Sequence, residues 1–352
     1  MKIAFLGAVP FNIIFGGGEV QLLKTMEALR ELGIDVVFWE NFDKNFKCDI
    51  LHIFGCHYWL FHAANLAKLK GIKIAISPIS YVPSIKFYYK IWKYLDKFVP
   101  VDTTYRLHRK LLSVADVILP NSLAEAHYLT TNFNIEPDKI FIVPNAAEER
   151  FAYASPDLFY KEYKLKNFVL CVGKIEPRKN QLLLVKALTN SEKNLVLIGD
   201  PIPNRMDYFE KVMKIVKSNS NMHYIKSLPH DSNLLASAYA AAKVHVLLGV
   251  NETPGIVNLE AGLAGANLVV ADCPPVREYL KDFAIYCNFL SLQDDFAIYC
   301  NSLSLQDVRR AINEGYNKKK DDRLKNFIMS NYNWEIVARR TLQAYKKILS
   351  KR

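Results

Sequence analysis

The stretch NFVLCVGKIEPRKNQLLLVKALTNSEKNLVLIGD, residues 167–200, contains two short apolar runs separated by a turn and a helical pattern. NFVLCVG and NLVLIGD are typical of buried strands, and QLLLVKAL between them is typical of a helix. A strand, a helix and a second strand in this order form a βαβ unit, whose two strands are parallel. The stretch therefore predicts an α/β fold built on a parallel sheet.

The same alternation extends over most of the chain. Strand-like runs such as KIAFLGAV and ILHIF precede residue 150, and the helical pattern GEVQLLKTMEALRELG ends at Gly33. The pattern is lost in FAYASPDLFYKEYKLK and then returns, continuing through VHVLLGV and NLVVAD. We therefore predict two doubly wound Rossmann-like domains and a terminal amphipathic helix. The predicted boundaries are 1–160, 161–330 and 331–352.

Composition limits the classes of protein to consider. The 352 residues are 51% hydrophobic and carry a net charge of +11, which suits two globular domains and argues against disorder. Residues 1–165 have a net charge of +2 and residues 166–352 one of +9, so the second half suits an anionic ligand. Six cysteines form no CxxC pair, and the apolar opening leads directly into glycines and a helical pattern. We therefore expect reduced thiols, a first strand rather than a signal peptide, and a cytoplasmic protein.

Two clusters lie where strands are predicted to end, the edge at which open α/β sheets bind ligands. Gly16, Gly17 and Gly18 follow the first strand, and their backbone N–H groups are suited to a phosphate; the alternative is a flexible glycine turn. Lys174 and Lys179 follow the strand at 167–173, and two cations there are able to neutralise a diphosphate. The alternative for these lysines is a solvated surface turn.

A third cluster is NETPGIVNLEAG, residues 251–262, in which a turn precedes a helix. Glu252 lies on the turn, where it is able to reach a sugar ring. Glu260 is buried by pattern and needs partners, which ribose hydroxyls are suited to provide. We expect free N–H groups at residues 255–257 to face an anion or sugar hydroxyls. The alternative is an ordinary ion pair.

Taken together and in this order, the clusters resemble those of retaining glycosyltransferases of family 4. That family carries a Gly-Gly-x-Glu loop, a Gly-Arg-x4-Lys segment and a Glu-x7-Glu motif, and the similarity covers nearly the whole chain apart from a duplication. The resemblance implies a GT-B fold, in which two Rossmann-like domains face each other across a cleft and the C-terminal helix crosses back to the first domain. The first domain is then the acceptor side and the second binds the nucleotide-sugar donor.

The resemblance also implies roles for individual residues. Lys174 and Lys179 would hold the donor diphosphate and stabilise the leaving group, and Glu252 would contact the donor sugar; these are the predicted catalytic residues. The other predicted donor-binding residues surround the phosphates, the base, the sugar and the ribose. They are Gly16, Gly17, Gly173, Ser227, Leu228, Thr253, Pro254, Gly255, Ile256, Val257 and Glu260. The resemblance also implies that no metal and no cofactor is needed, and the lack of an Asp-x-Asp sequence agrees with this. The expected substrate is a UDP- or GDP-linked sugar.

The sequence departs from the family pattern at three places. Lys174 stands where the family has Arg, so bidentate phosphate geometry is lost. Residues 76–81, ISPISY, lack the His that often lies near the transferred sugar, which puts a His-dependent role in acceptor positioning in doubt. The usual Gly-Phe-Gly is replaced by Thr-Pro-Gly at residues 253–255.

Two further segments stand out. KFYYKIWKYLDKFV, residues 86–99, combines lysines with an aromatic helical face, which suits an anionic membrane surface or an ordinary helix packed on the sheet. DFAIYCNFLSLQD at 282–294 is repeated as DFAIYCNSLSLQD at 295–307, a tandem duplication to which we assign no catalytic role.

We therefore expect a metal-independent retaining glycosyltransferase that acts on a glycan or glycolipid acceptor, in cell-envelope polysaccharide or glycolipid synthesis. It would be cytoplasmic and peripheral on the membrane if residues 86–99 bind lipid. The alternatives are another GT-B enzyme, such as a nucleotide-sugar epimerase, or a non-enzymatic basic binding protein. The chain has no recognisable nucleic-acid signature, so no nucleic-acid partner is expected.

Overall fold

The computed structural model describes residues 1–7, 15–40, 43–82, 86–95, 98, 101–249, 251–253, 255–288 and 304–350, without the side chains of residues 86–90. The chain divides into two compact units. The first comprises Met1–Ala146 and Trp334–Arg352, and the second comprises Ala147–Asn333.

The first unit is built on a parallel sheet in the order β2-β1-β3-β4-β5. The strands are β1 (Lys2–Gly7), β2 (Asp35–Phe38), β3 (Ile50–Phe54), β4 (Lys73–Ser77) and β5 (Val117–Ile118). All five residues of β3 are buried, as expected for a central strand covered by helices on both faces.

The helices of the first unit pack on the two faces of this sheet. They are α1 (Gly17–Glu31), α2 (Phe61–Leu69), α3 (Lys86–Leu95), α4 (Thr104–Val114), α5 (Leu123–Phe133) and, at the C-terminus, α14 (Trp334–Ser350). The chain turns out of α1 at Gly33, whose φ of 78° is the left-handed conformation that glycine adopts at low cost. No helix in the described part of the chain is both long and apolar enough to cross a membrane.

The C-terminal helix α14 belongs to the first unit, as predicted. Its buried face, which includes Val337, Tyr345 and Ile348, packs in one core with residues of α1, β1 and β3. The ring of His52 in β3 makes two buried hydrogen-bonding contacts, with the Tyr345 hydroxyl at 2.6 Å and the Ser77 hydroxyl at 2.9 Å. The helix is therefore fixed by apolar burial and by a polar contact to the central strand.

The second unit contains a parallel sheet in the order β11-β10-β9-β6-β7-β8. Its strands are β6 (Phe168–Val172), β7 (Leu195–Ile198), β8 (Met222–Ile225), β9 (Ala242–Leu247), β10 (Asn267–Ala271) and β11 (Ile285–Cys287). Its helices are α6 (Asp157–Tyr163), α7 (Gln181–Leu188), α8 (Met206–Lys217), α9 (Asn233–Ala241), α10 (Ile256–Leu263), α11 (Pro274–Leu280), α12 (Leu305–Asn317) and α13 (Arg323–Asn331). The βαβ unit predicted from residues 167–200 is formed by β6, α7 and β7.

The second unit begins at Ala147, earlier than the boundary that we predicted at residues 160/161. Phe151 and Phe159 are fully buried in the same core as Phe168 of β6. The segment before β6 is a short 3-10 turn followed by the two-turn helix α6. Elements of this length are too short to show a helical period, although their aromatic side chains are part of the core.

Both copies of the tandem duplication contribute to the second unit. The first copy supplies β11, which pairs with β10 at the edge of the sheet. The second copy supplies Ser304, whose hydroxyl accepts a hydrogen bond from the Asp307 N–H at the start of α12. Residues 289–303, which join these two positions, lie outside the described residues.

Candidate functional site

The carboxyl ends of β6 and β7 approach each other closely in the second unit. Gly173 and Gly199 follow these strands with φ of 141° and 150°, conformations that side chains rarely adopt. A Cβ on Gly199 would lie 2.1 Å from the Gly173 carbonyl oxygen, so only glycine fits there. Gly173 is one of the predicted site residues and Gly199 is not, although Gly199 also ends a strand-like run.

The loop after Gly173 is held in place by a buried side chain. Gln181, the first residue of α7, is fully buried; its Nε2 donates to the Lys174 carbonyl at 2.8 Å and its Oε1 accepts from the Glu176 N–H at 3.3 Å. Between these contacts the chain makes a 3-10 turn at Pro177–Lys179. The turn and the two Gln181 hydrogen bonds fix the direction in which the Lys179 side chain extends from the backbone.

Lys179 and Glu252 form a buried ion pair at the sheet edge. Lys179 Nζ lies 2.7 Å from Glu252 Oε1, and an Arg178 guanidinium nitrogen lies 3.2 Å from the same oxygen. Burial by itself would raise the pKa of Glu252, but the charges of Lys179 and Arg178 outweigh it and hold the pKa below its usual value. Arg178, which was not among the predicted site residues, also contacts Glu176 at 2.8 Å.

The Glu252 carboxylate lies close to the backbone of the residues on either side of it. A Cβ on Gly249, just after β9, would lie 2.4 Å from Glu252 Oε1, and one on Gly255 would lie 3.4 Å from Glu252 Oε2. Glycines on both sides therefore make room for the buried carboxylate. Pro254, predicted to line the same pocket, lies outside the described residues.

The start of α10 differs from the expectation in one respect. The N–H of Gly255 is not free, because the hydroxyl of Tyr279 in α11 accepts from it at 3.3 Å and from Asn258 Nδ2 at 2.7 Å. Burial raises the pKa of Tyr279 well above its usual value, so its hydroxyl stays protonated. Ile256 is buried, whereas Thr253 and Val257 are partly exposed.

Glu260 lies inside α10 and is almost fully buried. His230 Nε2 lies 2.7 Å from its Oε1, and the Tyr239 hydroxyl donates to its Oε2 at 2.7 Å. His230 Nδ1 lies 3.5 Å from Glu148 Oε1, which Arg150 Nε contacts at 3.2 Å. The protein itself thus supplies partners for the carboxylate that we expected ribose hydroxyls to satisfy, and the ribose contact stays a prediction.

The remaining predicted residues lie in both units. Ser227 and Leu228 follow β8 in the second unit; the Ser227 N–H donates to Asp200 Oδ1 at 3.2 Å, and Leu228 packs against the core. Gly16 and Gly17 belong to the first unit, where Gly16 precedes α1 and its carbonyl accepts from the Val20 N–H at 3.0 Å. A Cβ on Gly17 would meet no atom within 4 Å.

The second unit therefore brings predicted residues from separate loops to one edge of its sheet. Lys179 comes from the loop after β6, and Glu252 from the loop after β9, the neighbouring strand. A charged, glycine-lined edge of this kind is suited to an anionic ligand with hydroxyl groups. Within the described ranges, no three His, Cys, Asp or Glu side chains form a group that could hold a metal ion.

Comparison with known families agrees with this geometry. Residues 159–319 match the family model described as glycosyl transferases group 1. D-inositol 3-phosphate glycosyltransferase of Kribbella flavida is 25% identical over 63% of this chain and 55% of its own length. O-antigen chain mannosyltransferase RfbU of Salmonella typhimurium is 25% identical over 46% of this chain and 43% of its own. The chain thus spans about half the length of the curated relatives it matches.

Solved structures are similar over the whole chain. Anabaena HepE in complex with UDP aligns with a TM-score of 0.73 at 14% identity and covers 99% of this chain and 100% of its own. Sucrose-phosphate synthase from Thermosynechococcus elongatus aligns with a TM-score of 0.73 at 16% identity and covers 100% of both chains. At these identities the likeness shows the fold, which is GT-B with two Rossmann-like units, as predicted.

Proposed function

Because this chain carries a domain of the glycosyl transferases group 1 family, we propose that it transfers a sugar from a nucleoside-diphosphate sugar to an acceptor hydroxyl with retention of configuration. The enzyme would be of family 4, and its acceptor would be a glycan or glycolipid.

One observation carries this proposal: the buried contact of 2.7 Å between Lys179 and Glu252 at the carboxyl ends of β6 and β9. The departing nucleoside diphosphate is the group whose charge grows most during glycosyl transfer, so a fixed cation beside it lowers the barrier. Lys179 provides that cation, and Lys174 from the same loop adds a second charge. Glu252, held in reach by the flanking glycines, contacts the donor sugar.

The other predicted residues complete the donor site. Glu260 binds the ribose hydroxyls, Ser227 and Leu228 lie beside the base, and residues 253–257 shape the sugar pocket. The contact of Gly16 and Gly17 with the diphosphate stays a prediction from the sequence. The donor would be a UDP- or GDP-linked sugar; the solved complexes of Anabaena HepE with UDP and with UDP-glucose support a nucleotide-sugar donor.

We propose that the reaction needs neither a metal ion nor a cofactor. Lys174 and Lys179 supply the positive charge that a divalent cation would otherwise bring to the diphosphate. The absence of an Asp-x-Asp sequence supports this. Transfer should therefore continue unchanged in excess EDTA, and a rate restored only by Mg²⁺ or Mn²⁺ would overturn the proposal.

A role in cell-envelope polysaccharide or glycolipid synthesis is supported by the relative named O-antigen chain mannosyltransferase. Such acceptors are bound to a membrane, and we propose that the first unit contacts an anionic membrane surface through residues 86–99. Ile91, Tyr94 and Phe98 are 43%, 66% and 68% exposed, which supports this. Trp92 of the same helix packs against the core, and residues 96, 97 and 99 lie outside the described residues.

The membrane contact is tested with vesicles. The protein should sediment with vesicles that contain phosphatidylglycerol and not with pure phosphatidylcholine, and Tyr94→Ser should weaken sedimentation. Leu158→Ser is the matched control, since Leu158 is also an exposed apolar residue but lies in the second unit. Equal sedimentation of both variants would show that residues 86–99 do not make the membrane contact.

The proposed activity is tested by donor consumption. Purified protein is incubated with UDP- and GDP-linked sugars, and release of UDP or GDP is followed with and without glycan and glycolipid acceptors. Release of one nucleotide that is stimulated by an acceptor supports a transferase. Conversion of the donor sugar without release of the diphosphate would indicate an epimerase, and binding without turnover would indicate a non-enzymatic protein.

A further inference from the structure

The contacts of His230 suggest a role in donor binding for this residue, which was not among the predicted site residues. It lies in the segment SLPHDS, residues 227–232, which begins with the two residues predicted to flank the donor base, and it follows the second of them after one proline. Its Nε2 contacts Glu260, the carboxylate predicted to bind ribose, at 2.7 Å. One side chain therefore connects the predicted base and ribose positions within the second unit.

The backbone around His230 is also fixed. Arg150 donates to the carbonyl oxygen of His230 and, at 3.4 Å, to that of Ser232. The Arg150 guanidinium lies 4.2 Å from the centre of the Phe151 ring, and Glu148 contacts both Arg150 and the His230 ring. A guanidinium that is stacked, paired and bonded to two carbonyls has little freedom, so it fixes the segment that carries His230.

The Glu260 carboxylate is oriented from both sides. Tyr239 donates to Oε2 at 2.7 Å, while His230 holds Oε1. Each carboxylate oxygen accepts up to two hydrogen bonds, and the two protein contacts use one on each oxygen. Two hydroxyls on neighbouring carbons, as in ribose, match two oxygens that are held in a fixed plane.

From these contacts we infer that His230 is a positioning residue: it orients Glu260 for the two ribose hydroxyls of the donor and links that contact to the base segment. The inference rests on the proposed function. It makes the preference for ribonucleotides depend on a residue that acts through Glu260.

Binding of nucleoside diphosphates tests the inference by calorimetry. The probes are UDP and GDP and their 2′,3′-dideoxy forms, and the quantity compared is the ratio of the two dissociation constants for the base that binds. We expect the wild type to bind the ribonucleotide at least tenfold more tightly. In His230→Ala the ratio should fall towards one, with the affinity for the dideoxy form unchanged.

Three more variants separate positioning from folding. His230→Gln, whose amide N–H is able to donate to Glu260, should restore most of the ratio. Tyr239→Phe should lower it by removing the bond to the other oxygen. His223→Gln is the matched control, since His223 lies in β8 and makes none of these contacts to Glu260, and it should keep the wild-type ratio.

The binding results distinguish failure of the inference from failure of the proposed function. A wild-type ratio in His230→Ala, or an equal loss of affinity for both forms, overturns the inference while the proposed function stands. A wild-type protein that binds the nucleotide without any preference for ribose also overturns it. If no nucleoside diphosphate binds to the wild type, the proposed function itself fails, and the inference fails with it.

Discussion

Lys179 Nζ and Glu252 Oε1 lie 2.7 Å apart, although the two residues come from loops that follow different strands of the second unit. The cation predicted to hold the diphosphate is thus paired with a carboxylate in the structure. A donor phosphate would share Lys179 with Glu252 or take the place of Glu252 beside it. Glu252 would then be free to contact the transferred sugar.

Loss of the lysine should destabilise the second unit. In Lys179→Met a buried carboxylate keeps only the Arg178 contact, which should cost about 2–4 kcal/mol. Lys179→Met combined with Glu252→Gln should recover most of this loss, because no charge is left unpaired. Hydrogen exchange of the β6 and β9 amides measures the effect, since all four tryptophans lie in the first unit.

A surface pair provides the control for this prediction. Lys211 lies 3.7 Å from Asp207, and both side chains are about two-thirds exposed. Lys211→Met should change the free energy of unfolding by less than about 0.5 kcal/mol. Equal losses in Lys179→Met and Lys211→Met would mean that the Lys179–Glu252 pair is not buried.

The first unit should lose stability in mild acid through His52. Burial lowers the pKa of this histidine from 6.5 to about 3. The unfolded chain then binds a proton that the folded chain does not, so the contribution to stability is complete above pH 6.5 and declines as the pH falls towards 3. Between pH 7 and pH 5 the expected loss is about 2 kcal/mol.

His52→Gln isolates this effect, since glutamine does not titrate. The variant should be less stable at pH 7 because its contacts with Ser77 and Tyr345 are altered, but its stability should fall less between pH 7 and pH 5. Tryptophan fluorescence reports unfolding of the first unit. The same pH dependence in both proteins would show that His52 is not the group responsible.

The fold could be predicted largely because strands and helices alternate with clear periods. The βαβ stretch at 167–200 was predicted correctly, and Gly173, Lys179 and Glu252 follow strand-like runs that the period identifies. The boundary near residue 160 differed from the structural one because Phe151 and Phe159 lie on elements too short to show a period.

The partners of the candidate site were less accessible to sequence reasoning. Tyr279 and His230 contact Gly255 and Glu260 only because α11 and the loop after β8 fold against α10. A motif identifies residues near a strand end, but it does not give the side chains that arrive from other elements. Arg178 could have been predicted as a site residue, since it is a third cation next to Lys179 in the same loop.

Removal of one copy of the tandem duplication should leave the second unit folded. Deletion of residues 290–302 joins the two described positions, β11 and the cap of α12, by three residues, a normal length for such a connection. The change in loop-closure entropy should alter stability by no more than about 1.5 kcal/mol. Calorimetric unfolding and nucleotide affinity both measure this, and loss of either would assign the duplication a structural or functional role.

The proposed binding of the donor diphosphate by Lys174 and Lys179 can be measured by calorimetric titration with a nucleoside diphosphate and its parent nucleoside. Wild-type protein should bind UDP or GDP, and Lys174→Met and Lys179→Met should each weaken this binding at least tenfold. Affinity for the nucleoside should change less than about twofold, since it carries no phosphate. Unchanged affinity of both variants for the diphosphate, or equal weakening for diphosphate and nucleoside, would show that the two lysines do not bind the diphosphate.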